Sequence, residues 1–140
     1  MIFTFGYAGK QVETLKEKIE ALDALLIDIR YSPFSKDPQW RKNNLSAVFG
    51  QRYLLAGNYF GNVLYKSAGI KLSDAEGGLA LIRKIDRNMI LMCSCHNYER
   101  CHRKTVSEYL QSHGFKVKEL EFTMTQKIAL PQQGNEQLTF

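Results

Sequence analysis

No stretch of this chain approaches the ~20 consecutive apolar residues needed to span a bilayer. Its opening residues, Met1 to Gly6, carry neither the basic region nor the apolar region of a secretory signal. Blocks of like charge and low-complexity tracts are also missing, which argues against a disordered nucleic-acid-binding tail. Cysteine is scarce and odd in number: three residues, all between positions 93 and 101. Three close thiols form no disulfide framework. They fit a reducing compartment, where clustered thiols serve chemistry or metal binding more often than structure. These absences exclude membrane-spanning and disulfide-stapled classes and lead to the expectation of a cytoplasmic protein.

What is present suits one ordinary domain. The 140 residues are 44% hydrophobic, enough for a single core without staples. Lys and Arg total 19 against 14 acidic residues, a net charge of +5. That excess favours anionic ligands or polyanionic partners.

Short strand-like runs alternate with helical periodicity. Ile2 to Phe5 is an apolar run closed by Gly6-Tyr7-Ala8-Gly9. Val12, Leu15, Ile19 and Leu22 recur at helical spacing. Leu25-Leu26-Ile27-Asp28-Ile29-Arg30 reads as a strand buried on both faces, as a parallel sheet covered by helices requires. Pro33 and Pro38 break the next segment, and a helix is expected from Gln39 to about Val48. A further strand is expected from Arg52 to Leu55. Ser73 and Glu76 have capping-box spacing, opening a helix to about Ile85. Met89 to Met92 is another buried strand. A helix from about Arg100 to His113 and a strand from Val117 to Phe122 follow. The pattern predicts a three-layer α/β domain over residues 1–122, with a mostly parallel, Rossmann-like central sheet of about five strands. Residues 123–140 are expected to be a C-terminal extension, packed on the domain or on a partner subunit, where it could support a homodimer.

Ligands of open α/β sheets bind at the carboxyl ends of the strands. Three strand ends carry polar residues: Gly6 and Tyr7 after the first, Asp28, Arg30 and Ser35 with the second, and Cys93-Ser94-Cys95-His96 after the fourth. Asp28 and Arg30 share one face of an extended strand. They are either a structural ion pair or an acid that orients an arginine fork toward an anion. Cys101-His102-Arg103 stands where a helix begins, and helix N-terminal amides favour a thiolate or a phosphate. Cys101 is then either a buried helix-start residue or a reactive thiol with His102 as its proton carrier.

Cys93, Cys95, Cys101 and a histidine, His96 or His102, are enough in number for tetrahedral zinc. Their spacing is not that of paired C-x-x-C knuckles. A phosphatase or rhodanese loop needs Cys and Arg six positions apart. Glu99 and Cys101 stand six after Cys93 and Cys95, so neither fits.

Three ordered segments, F-G-Y-A-G, L-I-D-I-R-Y-S-P-F-S and L-M-C-S-C-H-N-Y-E-R-C-H-R-K, resemble the domain of unknown function 488 family. The resemblance spans roughly Phe3 to Phe122 and is loose in the middle of the chain. It implies an α/β domain with Gly6, Tyr7, Asp28, Arg30, Pro33, Ser35, Cys93, Cys101, His102 and Arg103 on motif positions. It implies no reaction. One departure is Cys95, where many members carry Glu.

The leading expectation is an enzyme for an anionic substrate, a nucleotide or nucleic acid, with no cofactor. Arg30 and Arg103 would hold the anion, with Gly6, Tyr7 and Ser35 beside them. Asp28 would orient Arg30 or act as base, and Cys101 with His102 would be the reactive pair. A second expectation is a non-catalytic nucleic-acid module, with Lys36, Arg41, Lys42 and Arg52 beside Trp40, Tyr53, Tyr59 and Phe60, against the alternative that Trp40 and the tyrosines are mostly core. A third is a zinc module built on Cys93, Cys95, Cys101 and His102.

Overall fold

The computed structural model describes residues 1–122. Five strands, all parallel, form one sheet in the order β3-β2-β4-β1-β5. They are β1 (Ile2–Gly6), β2 (Leu25–Asp28), β3 (Tyr53–Leu55), β4 (Met89–Cys93) and β5 (Val117–Glu119). The three inner strands are buried along their whole length. Parallel strands need crossover connections, and these place helices on both faces.

Strand alternation divides the core in two. Phe3, Phe5, Leu26, Ile90 and Met92 meet helices α1 (Val12–Leu22) and α2 (Lys42–Phe49) on one face. Ile2, Leu25, Ile27, Leu91 and Cys93 meet α3 (Gly57–Phe60), α4 (Ala75–Lys84) and α5 (His102–Ser112) on the other. The result is the expected three-layer α/β arrangement.

Element boundaries differ from the expectations where local capping intervenes. Asp37 caps a 3-10 turn at Pro38–Trp40, so α2 begins only at Lys42. Asp74, not Ser73, caps α4, accepting from the Gly77 amide at 3.0 Å. Asn97 caps another 3-10 turn at Tyr98–Arg100, which delays α5 to His102. The last strand ends at Glu119 rather than Phe122. The proposed C-terminal extension and its role in a homodimer lie outside the described residues. Among the described residues, no helix is long and apolar enough to cross a membrane.

The sheet order places a topological switch between β2 and β4. The chain leaves β2 toward β3, on one side, and leaves β4 toward β5, on the other. Such a divergence opens a crevice at the strand carboxyl ends.

In α4, Gly78 faces the ring of fully buried Phe60, and a Cβ there would overlap it. Gly78→Ala gains about 1 kcal/mol in helix propensity and costs about 1–3 kcal/mol in overpacking. The ring has nowhere to move, so we expect net destabilisation, read as a lower urea midpoint at unchanged slope.

Candidate functional site

The switch-point crevice is a cleft of about 810 Å³. Its walls come from the segment after β2 (Arg30, Tyr31, Ser32, Phe34), the end of β4 (Ser94, Cys95), the start of α5 (Arg100, His102) and the loop from Asn62 to Ile70. Tyr31, Phe34, Tyr65 and Ile70 are large apolar side chains left well exposed, and all four line this cleft. Tyr31 and Tyr65 meet with ring centroids 6.0 Å apart, and the Arg41 guanidinium lies over Phe34.

All three cysteines converge at the floor. Their sulfurs lie within 4.8 Å of one another and are unbridged. Cys93 is the last residue of β4 and points to the α5 face, fully buried. Cys101 caps α5, its Sγ accepting from the Arg103 amide at 3.5 Å. The Cys93 and Cys101 sulfurs are 2.7 Å apart. Of the three, Cys95 alone lines the cleft.

Their environments push these thiols apart. Burial drives the Cys93 thiol well above its ordinary range, and its contacts with Cys101 and Cys95 add to that. Cys95 moves the other way, to about 3, chiefly because the Cys101 and Cys93 thiols donate to it. Partial burial opposes that shift, and the Arg103 charge supports it. The cluster therefore carries one thiolate, and it faces the cleft.

Arg103 is a buried structural cation rather than a free anion fork. Its guanidinium makes a two-point bond to Glu119, at 3.0 and 2.6 Å. It also donates to the Cys95 carbonyl at 2.7 Å, the His96 carbonyl at 3.4 Å and the Cys93 sulfur at 3.4 Å. Burial alone would weaken its charge, but Glu119 and Cys93 more than offset this and hold its pKa above the usual value. Gly6 makes room for it: a Cβ at that position would strike both Arg103 and the Cys95 carbonyl.

His102 ties the two strand ends together. Its Nε2 lies 2.8 Å from the Ile29 carbonyl. A carbonyl only accepts, so Nε2 carries the proton and Nδ1 is left as an acceptor. Nδ1 faces the Cys101 sulfur at 4.0 Å.

Asp28 and Arg30 form a separate network on the opposite, α1/α2 face of the sheet. Asp28 is fully buried and accepts from Arg30 Nε and Nη2 at 2.9 and 2.6 Å, and from the Tyr53 hydroxyl at 2.6 Å. Burial raises the Tyr53 pKa, and the Asp28 carboxylate raises it further. Arg30 also donates to the Trp40 carbonyl at 2.8 Å and the Tyr7 hydroxyl at 3.3 Å. Burial opposes its charge, yet Asp28 keeps its pKa above the usual value. Tyr7 stacks on Trp40 at 4.7 Å. The oxygens of Asp28 are thus taken by protein donors, and it does not line the cleft. Arg30 reaches the cleft edge with its fork already engaged. Ser35 accepts from the Asp37 amide at 3.1 Å, holding its own loop.

Three rings and two cations expected on a nucleic-acid surface are engaged elsewhere. Trp40, Tyr53 and Phe60 are core residues. Arg52 is paired with Asp23 at 2.7 Å, and Arg41 donates to the Ser35 carbonyl. The exposed rings gather instead at Tyr31, Phe34 and Tyr65, which sequence reasoning passed over because they lie in separate irregular segments. Glu119 was also missed, and so was the role of Tyr53 as a partner of Asp28, since nothing local marks a partner brought from another strand. Compared with known proteins, the chain matches no family model, no curated protein and no solved structure.

Arg30→Ala would leave Asp28 buried with its main counter-charge gone, a loss of about 3–5 kcal/mol, measured by urea unfolding. Unchanged stability with altered ligand binding would mean that Arg30 serves the ligand instead. Because Cys95 titrates near 3, its alkylation by iodoacetamide should proceed nearly as fast at pH 5.5 as at pH 7.5. An ordinary thiol, with a pKa of about 8.5, slows roughly 100-fold over that span.

Proposed function

We propose that this chain is an enzyme that uses the Cys95 thiolate on an anionic, ring-bearing substrate of the nucleotide class. One observation carries the reading: of three converging thiols, the one that faces the switch-point cleft is the one held ionised. A thiolate is the nucleophilic form of cysteine. Exposed Tyr31, Phe34 and Tyr65 supply faces for a flat ring, and Arg100 supplies a cation on the same wall. The cleft volume falls in the roughly 300–1,000 Å³ range of small-molecule sites.

The roles then differ from those the motifs suggested. Cys95 is the nucleophile, with Cys101 and Cys93 as its hydrogen-bond donors. His102 Nδ1 takes or returns a proton at the Cys101 side of the cluster. Arg103 and Arg30 hold the architecture, leaving Arg100 to meet the anion. Membership of the domain of unknown function 488 family is part of the same proposal and rests on the three sequence motifs alone.

The convergence of Cys93, Cys95 and Cys101 favours a second reading, a metal site. Three soft ligands this close suit zinc, with a fourth position open to the cleft or filled by His102 Nδ1. The bond from His102 Nε2 to the Ile29 carbonyl is the kind of outer contact that orients a metal-bound imidazole. A zinc ion held by three thiolates carries a net negative charge, which Arg103, already bonded to Glu119, would offset only in part.

Two measurements separate the readings. Calorimetric titration with nucleoside monophosphates should detect binding that Cys95→Ser preserves and Arg100→Ala weakens roughly 10- to 150-fold, the ~1.5–3 kcal/mol of a charge-assisted hydrogen bond. Absence of any nucleotide binding overturns the first reading. Elemental analysis of protein purified without added metal decides the second: stoichiometric zinc that disappears in Cys95→Ser establishes it, and metal-free protein refutes it.

A further inference from the structure

Two of the three cysteines are more than a nucleophile needs. Cys93 and Cys101 are almost wholly buried, at 0% and 1% exposure, in the apolar layer beneath α5. Their sulfurs approach to 2.7 Å. Cys95 stands between them and solvent, within reach of both and open to the cleft. We propose that the cluster is a two-electron redox centre, in which a hydroperoxide oxidises Cys95 and the oxidation ends as a buried Cys93–Cys101 disulfide. The inference uses the cleft-facing sulfur of the preceding reading but not its substrate.

The steps balance. The Cys95 thiolate attacks the peroxide's outer oxygen and breaks the O–O bond. The sulfur is oxidised to sulfenic acid, while the departing oxygen takes a proton and leaves as water or an alcohol. Cys101 then attacks the Cys95 sulfur and expels the hydroxyl as a second water, forming a Cys95–Cys101 disulfide. His102 Nδ1, 4.0 Å from the Cys101 sulfur, is placed to take the proton of that thiol. The Arg103 amide at the start of α5 donates to that sulfur at 3.5 Å and fixes its position.

The third cysteine completes the transfer. Cys93 lies against Cys101 on one side and the Arg103 guanidinium on the other, 3.4 Å from Nη1. Cys93 attacks the Cys101 sulfur as its proton passes to the departing Cys95 sulfur, which leaves as a thiol and ionises in the cleft. The exchange puts a neutral disulfide in the apolar layer and returns the charged sulfur to the wet cleft. The reverse placement would bury a charge, which costs more. An external dithiol that reduces the buried pair closes the cycle.

Geometry also gives the third thiol a purpose in protection. A sulfenic acid that lingers at the cleft is exposed to further, irreversible oxidation. Transfer of the oxidation inward removes it from the peroxide's reach and frees Cys95 for another turnover.

The test uses the full chain in chelator-treated buffer with one equivalent of hydrogen peroxide. Iodoacetamide labelling and peptide mass spectrometry without reductant then locate the remaining thiol. The expected product carries an intramolecular Cys93–Cys101 disulfide and an alkylated Cys95. Cys95→Ser should form that same bond at least about tenfold more slowly, although Cys95 is not part of it. Cys101→Ala should leave a Cys95 sulfenic acid that dimedone traps. Three free thiols after treatment, a final disulfide that contains Cys95, or Cys95→Ser oxidising as fast as the unaltered chain would each overturn the proposal. These readouts involve no nucleotide, so a failure here leaves the substrate reading untouched, and a failure of nucleotide binding leaves this one standing.

Discussion

The buried Arg103 guanidinium is the fixed point around which the carboxyl end of the sheet is assembled. Its fork joins four pieces of chain: α5, which carries it, Glu119 of β5, the loop carbonyls of Cys95 and His96, and the Cys93 sulfur of β4. Glu119 in turn accepts from the Thr4 hydroxyl of β1 at 2.6 Å. A charge placed this deep is tolerable only when nearly every donor is met. The loop after β4 therefore has little choice of path, and the position of Cys95 follows from it. The missing side chain of Gly6 belongs to the same constraint, since any Cβ there would displace the guanidinium.

A second buried arginine does comparable work on the other face. Arg30, Asp28, Tyr53, Tyr7 and Trp40 lock the ends of β1, β2 and β3 to the segment that leads into α2. The two networks are kept apart by the two-residue period of the strands, which sends Asp28 to one face and Cys93 to the other. They meet through hydrogen bonds that include His102 Nε2 to the Ile29 carbonyl and the Tyr7 amide to the Cys93 carbonyl at 3.0 Å. Between them they set a rigid floor, and chemistry is left to the residues that face the cleft.

How much of this the sequence disclosed depends on whether the signal was local. The buried runs at Leu25–Asp28 and Met89–Cys93 and the helical spacing of Val12, Leu15 and Ile19 identified sheet and helices directly, because periodicity is a property of a few neighbouring residues. Arg103 was read as an anion fork because its partner is remote, whereas for Arg30 the pairing with Asp28 was one of two readings left open. Glu119 lies sixteen positions beyond Arg103, and Trp40 offers Arg30 a backbone carbonyl, which no sequence pattern advertises. Cys101 drew attention through its place at a helix start, and Cys95 through its exposed loop and its departure from the motif. The sequence left Cys93 and Cys101 open between core and chemistry, and the fold buries both. The same limit left Trp40 and Tyr53 open between a stacking surface and the core, and the fold places them, with Phe60, in the core.

The source of the Cys95 charge has a consequence of its own. Arg103 is already neutralised by its bidentate bond to Glu119, so it offers Cys95 only part of a positive charge. The larger share comes from two neutral thiols that donate to the sulfur. Nucleophilicity falls with pKa, so each S–H donor that keeps Cys95 ionised also lowers its intrinsic reactivity. The ionisation is also conditional, because removal of either donor, by oxidation or by a metal, withdraws the support. A sequence with Glu in place of Cys95 would put a permanent charge at that point and lose this dependence. The third cysteine therefore makes the ionisation of the cleft answer to the state of the two thiols behind it.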